Sequence, residues 1–156
     1  MNPSAKRYPV LILGIGNILL RDEGIGVRVI QAMQKMELPE GVELYDGGTA
    51  GADLLDIICD RKKLIIIDAM DADCEPGSIL RLTPDDLKPQ ASAGISLHQI
   101  GLLDTLNMAK LLGSPPEEVI IIGIKPKSIT PCTELSTELK HSIPKALNLI
   151  LNELKR

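Results

Sequence analysis

Leu64-Ile65-Ile66-Ile67-Asp68 is a run of four aliphatic side chains that closes on a carboxylate. A strand with one face in water alternates apolar and polar residues, whereas a strand covered on both faces reads as an unbroken apolar run. The run therefore predicts a central strand of a mostly parallel sheet flanked by helices, with Asp68 at its carboxyl end. Upstream, Pro9 to Ile15 has the same character and stops at the turn Gly14-Ile15-Gly16-Asn17. From Gly24 onward, Ile25, Val29 and Met33 recur at four-residue steps with Ile30 beside them, the apolar stripe of a helix. Val42 to Tyr45 is a second strand that ends at Asp46-Gly47-Gly48, and Thr49 is placed to cap a helix carrying Leu54, Leu55 and Ile58.

Downstream, Pro76-Gly77 marks a turn and Ser78 to Leu82 a strand. The stretch from Thr83 to Gly94, rich in Pro, Asp, Ser and Ala, reads as a mobile loop. A helix follows with Ser96 as its cap and Ile100, Leu103, Leu106 and Leu111 on one stripe; Pro115-Pro116 stops it. Val119 to Ile124 is the last strand, and Leu139, Ile143, Leu147, Ile150 and Leu154 line a final helix in which Pro144 predicts a kink. This order of elements predicts an α/β fold: one domain over residues 1–156, a twisted and mostly parallel sheet of about five strands sandwiched between helices. Residues 1–8 read as a flexible N-terminal tail.

Hydrophobic residues make up 44% of the 156, yet aromatics only 1%, with no Phe and no Trp, so Ile, Leu and Val must fill the interior. That leaves no stacking platform for single-stranded nucleic acid, and a formal charge of −4 supplies no basic field for phosphates. Cys59, Cys74 and Cys132 are odd in number and form no CxxC pair, which reads as reduced thiols in a cytoplasmic protein. The apolar stretch after Lys6-Arg7 is not read as a secretion signal, because Gly14, Gly16 and Asn17 interrupt it and Arg21-Asp22-Glu23 closes it. No stretch reaches the ~20 apolar residues that span a bilayer, so no membrane partner is expected.

Ligands of open α/β sheets bind beyond the carboxyl ends of the strands, where loops and helix starts converge. Glu23 follows the first strand, Asp68 ends the central one, and His98 opens the helix after the mobile loop, so all three can face that edge. Two carboxylates and an imidazole suit a borderline divalent ion such as zinc or nickel, and three protein ligands leave a position open for chemistry on a peptide carbonyl or a bound water. Plainer roles exist for each residue. A strand-end Asp caps turns, Glu23 favours the positive end of the helix near Gly24, and a helix-start histidine can be satisfied by backbone. His141 reads as solvated surface, and chemistry alone does not separate Glu23 from the adjacent Asp22. A dinucleotide site would need G-x-G-x-x-G, but the third position here is Leu19. The two glycines are better explained by a tight turn that gives Glu23 room to approach the crevice.

Taken together, GIGNILLRDEGIGVRVI, YDGGTAG, LIIIDAMDA and ISLHQIGL, four blocks in order from Val10 onward, resemble the hydrogenase maturation proteases. These are endopeptidases that remove a C-terminal extension from the large subunit of nickel-iron hydrogenases once nickel has been inserted. The resemblance implies that Glu23, Asp68 and His98 contact the metal, choosing Glu23 over Asp22, and that Asp46 in the DGGTAG turn belongs to the substrate cleft. It further implies nickel, that of the substrate, as the metal, with zinc or cadmium able to occupy the same position. A water held by Asp46 or Asp68 would attack the scissile bond. The expected partner is the large-subunit precursor, and the expected enzyme is a cytoplasmic monomer. The competing readings are a nickel-binding chaperone that does not cut and a nucleotide-binding protein.

Overall fold

In a computed structural model, which describes residues 7–87 and 97–156, the strands are β1 (Val10–Ile15), β2 (Val42–Gly48), β3 (Lys63–Ala69), β4 (Ile79–Leu82) and β5 (Glu118–Ile124). The helices are α1 (Ile25–Met33), α2 (Leu55–Ile58), α3 (Leu97–Leu111) and α4 (Thr137–Leu154). One sheet contains all five strands in the order β2-β1-β3-β5-β4. Four run parallel, and β4 pairs antiparallel to β5 at the edge.

Alternation along the strands sorts the core into two layers. Leu11, Leu13, Leu64, Ile66 and Ile121 pack with Ile58 of α2 and Leu102, Leu106 and Ala109 of α3. Ile12, Ile65, Ile67, Ile120 and Ile122 pack with Val29, Ile30 and Met33 of α1 and Leu139, Ala146 and Ile150 of α4. Leu64 through Ile67 are wholly excluded from solvent, as their unbroken apolar run requires. The chain leaves β1 through α1 on one face to reach β2, then crosses by α2 on the other face to β3. The direction of winding thus reverses between β1 and β3, and a crevice opens at the carboxyl ends of those two strands.

Three details depart from the sequence reading. Leu111 is 83% exposed, because the five residues from Leu106 turn the helix by about 500° and leave it on the far side. The buried stripe of α3 is instead Leu102, Thr105, Leu106 and Ala109. The stretch expected to be a mobile loop begins with a 3-10 turn, Pro84–Leu87, in which Leu87 is buried and the Asp86 carboxylate accepts from the Thr83 N–H at 2.8 Å; its remainder, together with Ser96, lies outside the described residues. The end of the expected flexible tail is tied down. Arg7 donates to the carbonyls of Asp56 and Cys59, and the Tyr8 carbonyl accepts from Arg61 at 2.7 Å. Pro144 lies exposed inside α4, where the sequence reading placed it.

The opposite rim of the sheet is an ionic anchor. Buried Glu153 near the end of α4 binds Arg81 of β4 and lies 3.5 Å from the ammonium of buried Lys63 at the start of β3. Lys63 also donates to the Glu153 carbonyl at 2.7 Å. Among the described residues no helix is long and apolar enough to cross a membrane.

Candidate active site

Glu23 reaches the crevice because glycines let the backbone close up around it. Gly16 has φ +140°, and a Cβ there would lie 1.9 Å from the Glu23 carbonyl oxygen. A Cβ on Gly26, in the first turn of α1, would lie 2.2 Å from the carbonyl oxygen of Ile67, the residue before Asp68. α1 therefore sits directly on the ends of β1 and β3, and the 3-10 turn Arg21–Gly24 that precedes it carries Glu23 beside Asp68. The sequence reading of Gly14 and Gly16 as room for Glu23 holds for Gly16. Gly14 serves α1, since its Cβ would lie 2.4 Å from the Gly26 carbonyl.

Asp22 turns the other way and is wholly buried. Its carboxylate accepts from the backbone N–H groups of Lys127, Ser128 and Ser136 at 2.9, 3.0 and 2.8 Å, and from the Ser136 hydroxyl at 2.7 Å. Burial pushes this carboxyl up, but the hydrogen bonds from Ser136, Ser128 and Lys127 outweigh it and hold it below the usual carboxylate range. Asp22 thus clasps the segment between β5 and α4. Backbone bonds from Arg21 N–H to the Cys132 carbonyl (2.9 Å) and from Cys132 N–H to the Leu19 carbonyl (3.0 Å) extend the clasp. Arg21 holds a left-handed φ of 51° and its guanidinium reaches the Cys132 sulfur at 3.3 Å. Sequence reasoning missed this wall of the crevice. Its one signal is the polar stretch from Lys127 to Thr137, rich in Ser and Thr and so in hydrogen-bonding groups.

Asp68 lies next to last in β3 and is only 3% exposed. By alternation it follows Leu64 and Ile66 onto the sheet face covered by α3. Burial pushes its carboxyl up to about 8; the Ala69 N–H opposes that in part, and the negative charge of Glu23 raises it further. Glu23 and Asp68, 45 residues apart in sequence, are thus close enough for the charge of one to act on the other.

Asp46 lies two residues before the end of β2, near the same edge, paired in register with Gly14 of β1. It is exposed, and its Oδ1 accepts from the Gly48 N–H at 2.9 Å, an Asx turn at the mouth of the crevice. His98 is the second residue of α3; its side chain lies outside the described residues. Fifteen residues of α3 span about 22 Å, and seven of β5 span about 23 Å. Since α3 delivers the chain to the start of β5, its first turn stands level with the carboxyl edge. The structure thus brings Glu23 and Asp68 together and sets Asp46 and the backbone of His98 at the same edge. Among the described residues, no group of three His, Cys, Asp or Glu side chains is arranged to hold a metal ion. Cys59, Cys74 and Cys132 are all free thiols.

A family model described as hydrogenase maturation protease matches residues 27–153. The hydrogenase 2 maturation protease of Escherichia coli strain K12 is 38% identical over 148 residues, which cover 94% of this chain and 90% of that protein. Among solved structures, the hydrogenase maturating endopeptidase HybD from E. coli aligns with a TM-score of 0.86 at 37% identity, over 96% of this chain and 93% of that one. The nickel-iron hydrogenase maturation protease HybD from Thermococcus kodakarensis aligns with a TM-score of 0.76 at 28% identity, over 97% of this chain and 100% of that one.

Proposed function

This chain belongs to the hydrogenase maturation protease family, and we propose that it removes a C-terminal extension from the nickel-loaded large-subunit precursor of a nickel-iron hydrogenase, as a cytoplasmic monomer. The observation that carries the reading is the pairing of buried Asp68 with Glu23 at the winding reversal of the sheet. Two acids that repel each other in a desolvated crevice suit a divalent cation, and a borderline ion accepts carboxylate oxygen together with imidazole nitrogen. Glu23 and Asp68 would hold it, with His98 as the nitrogen ligand.

The ion is the substrate's nickel, and its charge supplies the polarisation that favours attack on the scissile carbonyl. In this reading the three residues gauge whether the precursor is complete, since a nickel-free precursor brings no cation to offset the two acids. The tail then lies along the mouth of the crevice, and Asp68 or Asp46 orients the attacking water. Asp46 has Oδ2 to offer, since its Oδ1 is engaged by the Gly48 N–H.

A second reading is supported by the same electrostatics. With its carboxyl raised to about 8, Asp68 carries a proton at neutral pH, which suits the acid of a carboxyl pair. Asp68 would then protonate the leaving amine and Glu23 would draw the proton from water, without a resident metal.

The test is the mass of the large subunit after incubation of nickel-loaded and nickel-free precursor with the protein. Loss of a C-terminal peptide only from the loaded sample supports nickel gauging. Equal cleavage of both favours the acid pair, and no cleavage of either leaves a non-catalytic nickel-binding chaperone.

A further inference from the structure

One groove takes no part in the chemistry just described. It lies between α1, α4 and the segment that Asp22 clasps, has a volume of about 330 Å³, and is lined by the apolar side chains of Ala32, Leu135 and Ile143. Arg28 from α1, Lys35 from the turn just after it and Lys140 from α4 bring three positive charges to it, against the single carboxylate of Glu134. This concentration of cations occurs on a chain whose formal charge is −4.

The cations are available to a ligand. Arg28 is held by two neutral acceptors, the Gln31 side-chain oxygen at 3.1 Å and the Thr133 carbonyl at 2.6 Å, so its guanidinium is positioned without being neutralised. Among the described residues, none of the three cations is in an ion pair with a carboxylate. Lys35 and Lys140 are exposed.

The lining decides between a small anion and a chain. A lone phosphate-sized ion would use the cations of Arg28, Lys35 and Lys140 but leave the apolar side chains of Ala32, Leu135 and Ile143 without a partner. On an extended segment, side chains two residues apart share a face and stand about 7 Å apart, so acids and hydrophobic side chains along that face meet both parts of the lining. The groove also adjoins the catalytic crevice: Thr133 and Leu135 belong to the segment whose Lys127, Ser128 and Ser136 hold Asp22, the neighbour of Glu23.

We infer that this groove docks an acidic stretch of the large-subunit precursor, with apolar side chains between the acids, while the precursor's tail lies at Glu23 and Asp68. The inference rests on the proteolytic reading above.

The test is steady-state cleavage of nickel-loaded precursor at low and physiological salt by wild type, K35E/K140E and K35R/K140R. Melting curves verify that the exposed substitutions leave the fold intact. Charge reversal should raise KM at least about tenfold, keep kcat within about twofold, and flatten the salt dependence of kcat/KM, while K35R/K140R behaves as wild type. If wild type cleaves and K35E/K140E keeps both its KM and its salt dependence, the groove is not a docking site. If wild type does not cleave at all, the proteolytic reading fails, and the groove is then judged by salt-sensitive binding of uncleaved precursor: loss in K35E/K140E upholds it and retention overturns it. A rise in melting temperature with inorganic phosphate in wild type but not in K35E/K140E, at unchanged KM, would make this a small-anion site and overturn the proposal.

Discussion

Asp22 and Glu23 are adjacent acids, and substitution separates the structural role of the first from the catalytic role proposed for the second. Asp22→Asn must turn an amide N–H₂ towards backbone donors that now meet a carboxylate, so it should cost about 2–3 kcal/mol of stability in denaturant titrations. Glu23→Gln should leave stability nearly unchanged and remove processing of the precursor. Retained processing by Glu23→Gln at wild-type rate would take Glu23 out of the site. Chemistry alone did not distinguish the two, because the groups that claim Asp22 lie more than 100 residues away, on the far side of β5. The resemblance chose Glu23, and the buried clasp on Asp22 supplies the physical reason for that choice.

Asp68 carries the sharpest pH signature. Its carboxyl is raised from an ordinary 3.8 to about 8, so from about pH 4 to pH 8 the folded state holds a proton that the unfolded chain has released. Stability therefore falls as pH rises through that window, by up to about 6 kcal/mol, and levels off above it. Asp68→Asn removes this dependence. Relative to wild type it should gain stability progressively from pH 4 to pH 8 in urea titrations while losing processing altogether. A stability difference that does not change with pH would mean that Asp68 titrates normally.

At the scale of elements, the packing of α1 against two strand ends governs the site. A methyl group on Gly26 would meet the carbonyls of Ile67 and Ile15 at 2.2 and 2.4 Å, and backbone there cannot yield cheaply. Gly26→Ala should therefore cost at least about 3 kcal/mol, and whatever protein remains folded should process poorly because Glu23 is lifted from Asp68. At the opposite rim, Glu153→Ala takes a carboxylate from buried Lys63 but leaves it the backbone carbonyl of residue 153 and the Glu118 carboxylate at 3.8 Å, so denaturant titration should show a loss of about 2–3 kcal/mol with kcat unaffected in the folded fraction. Most elements were legible because aliphatic runs and four-residue stripes are strong signals. Leu111 misled because an apolar residue near the end of a stripe is indistinguishable by type from a core residue, and only the helical angle excludes it. The Arg21 turn and the clasped segment carry no periodic pattern, so their shape appears only when strands distant in sequence are set side by side.

At the scale of the molecule, function follows from where the sheet changes its direction of winding. With strand order β2-β1-β3-β5-β4, the loop after β1 and the end of β3 flank one crevice, and Glu23 and Asp68 occupy those positions. This address was readable in advance, because a strand buried on both faces that closes on an Asp points to the carboxyl edge of a parallel sheet. What the sequence left open was how the turn bearing Glu23 approaches the end of β3, and the close backbone packing at Gly16 and Gly26 accounts for that approach.

The most direct measurement is intact mass of nickel-loaded large-subunit precursor after incubation with wild type, Asp22→Asn and Asp68→Asn, at a temperature where all three are folded. The account predicts loss of the C-terminal peptide with wild type and Asp22→Asn, and none with Asp68→Asn. Complete processing by Asp68→Asn would contradict it.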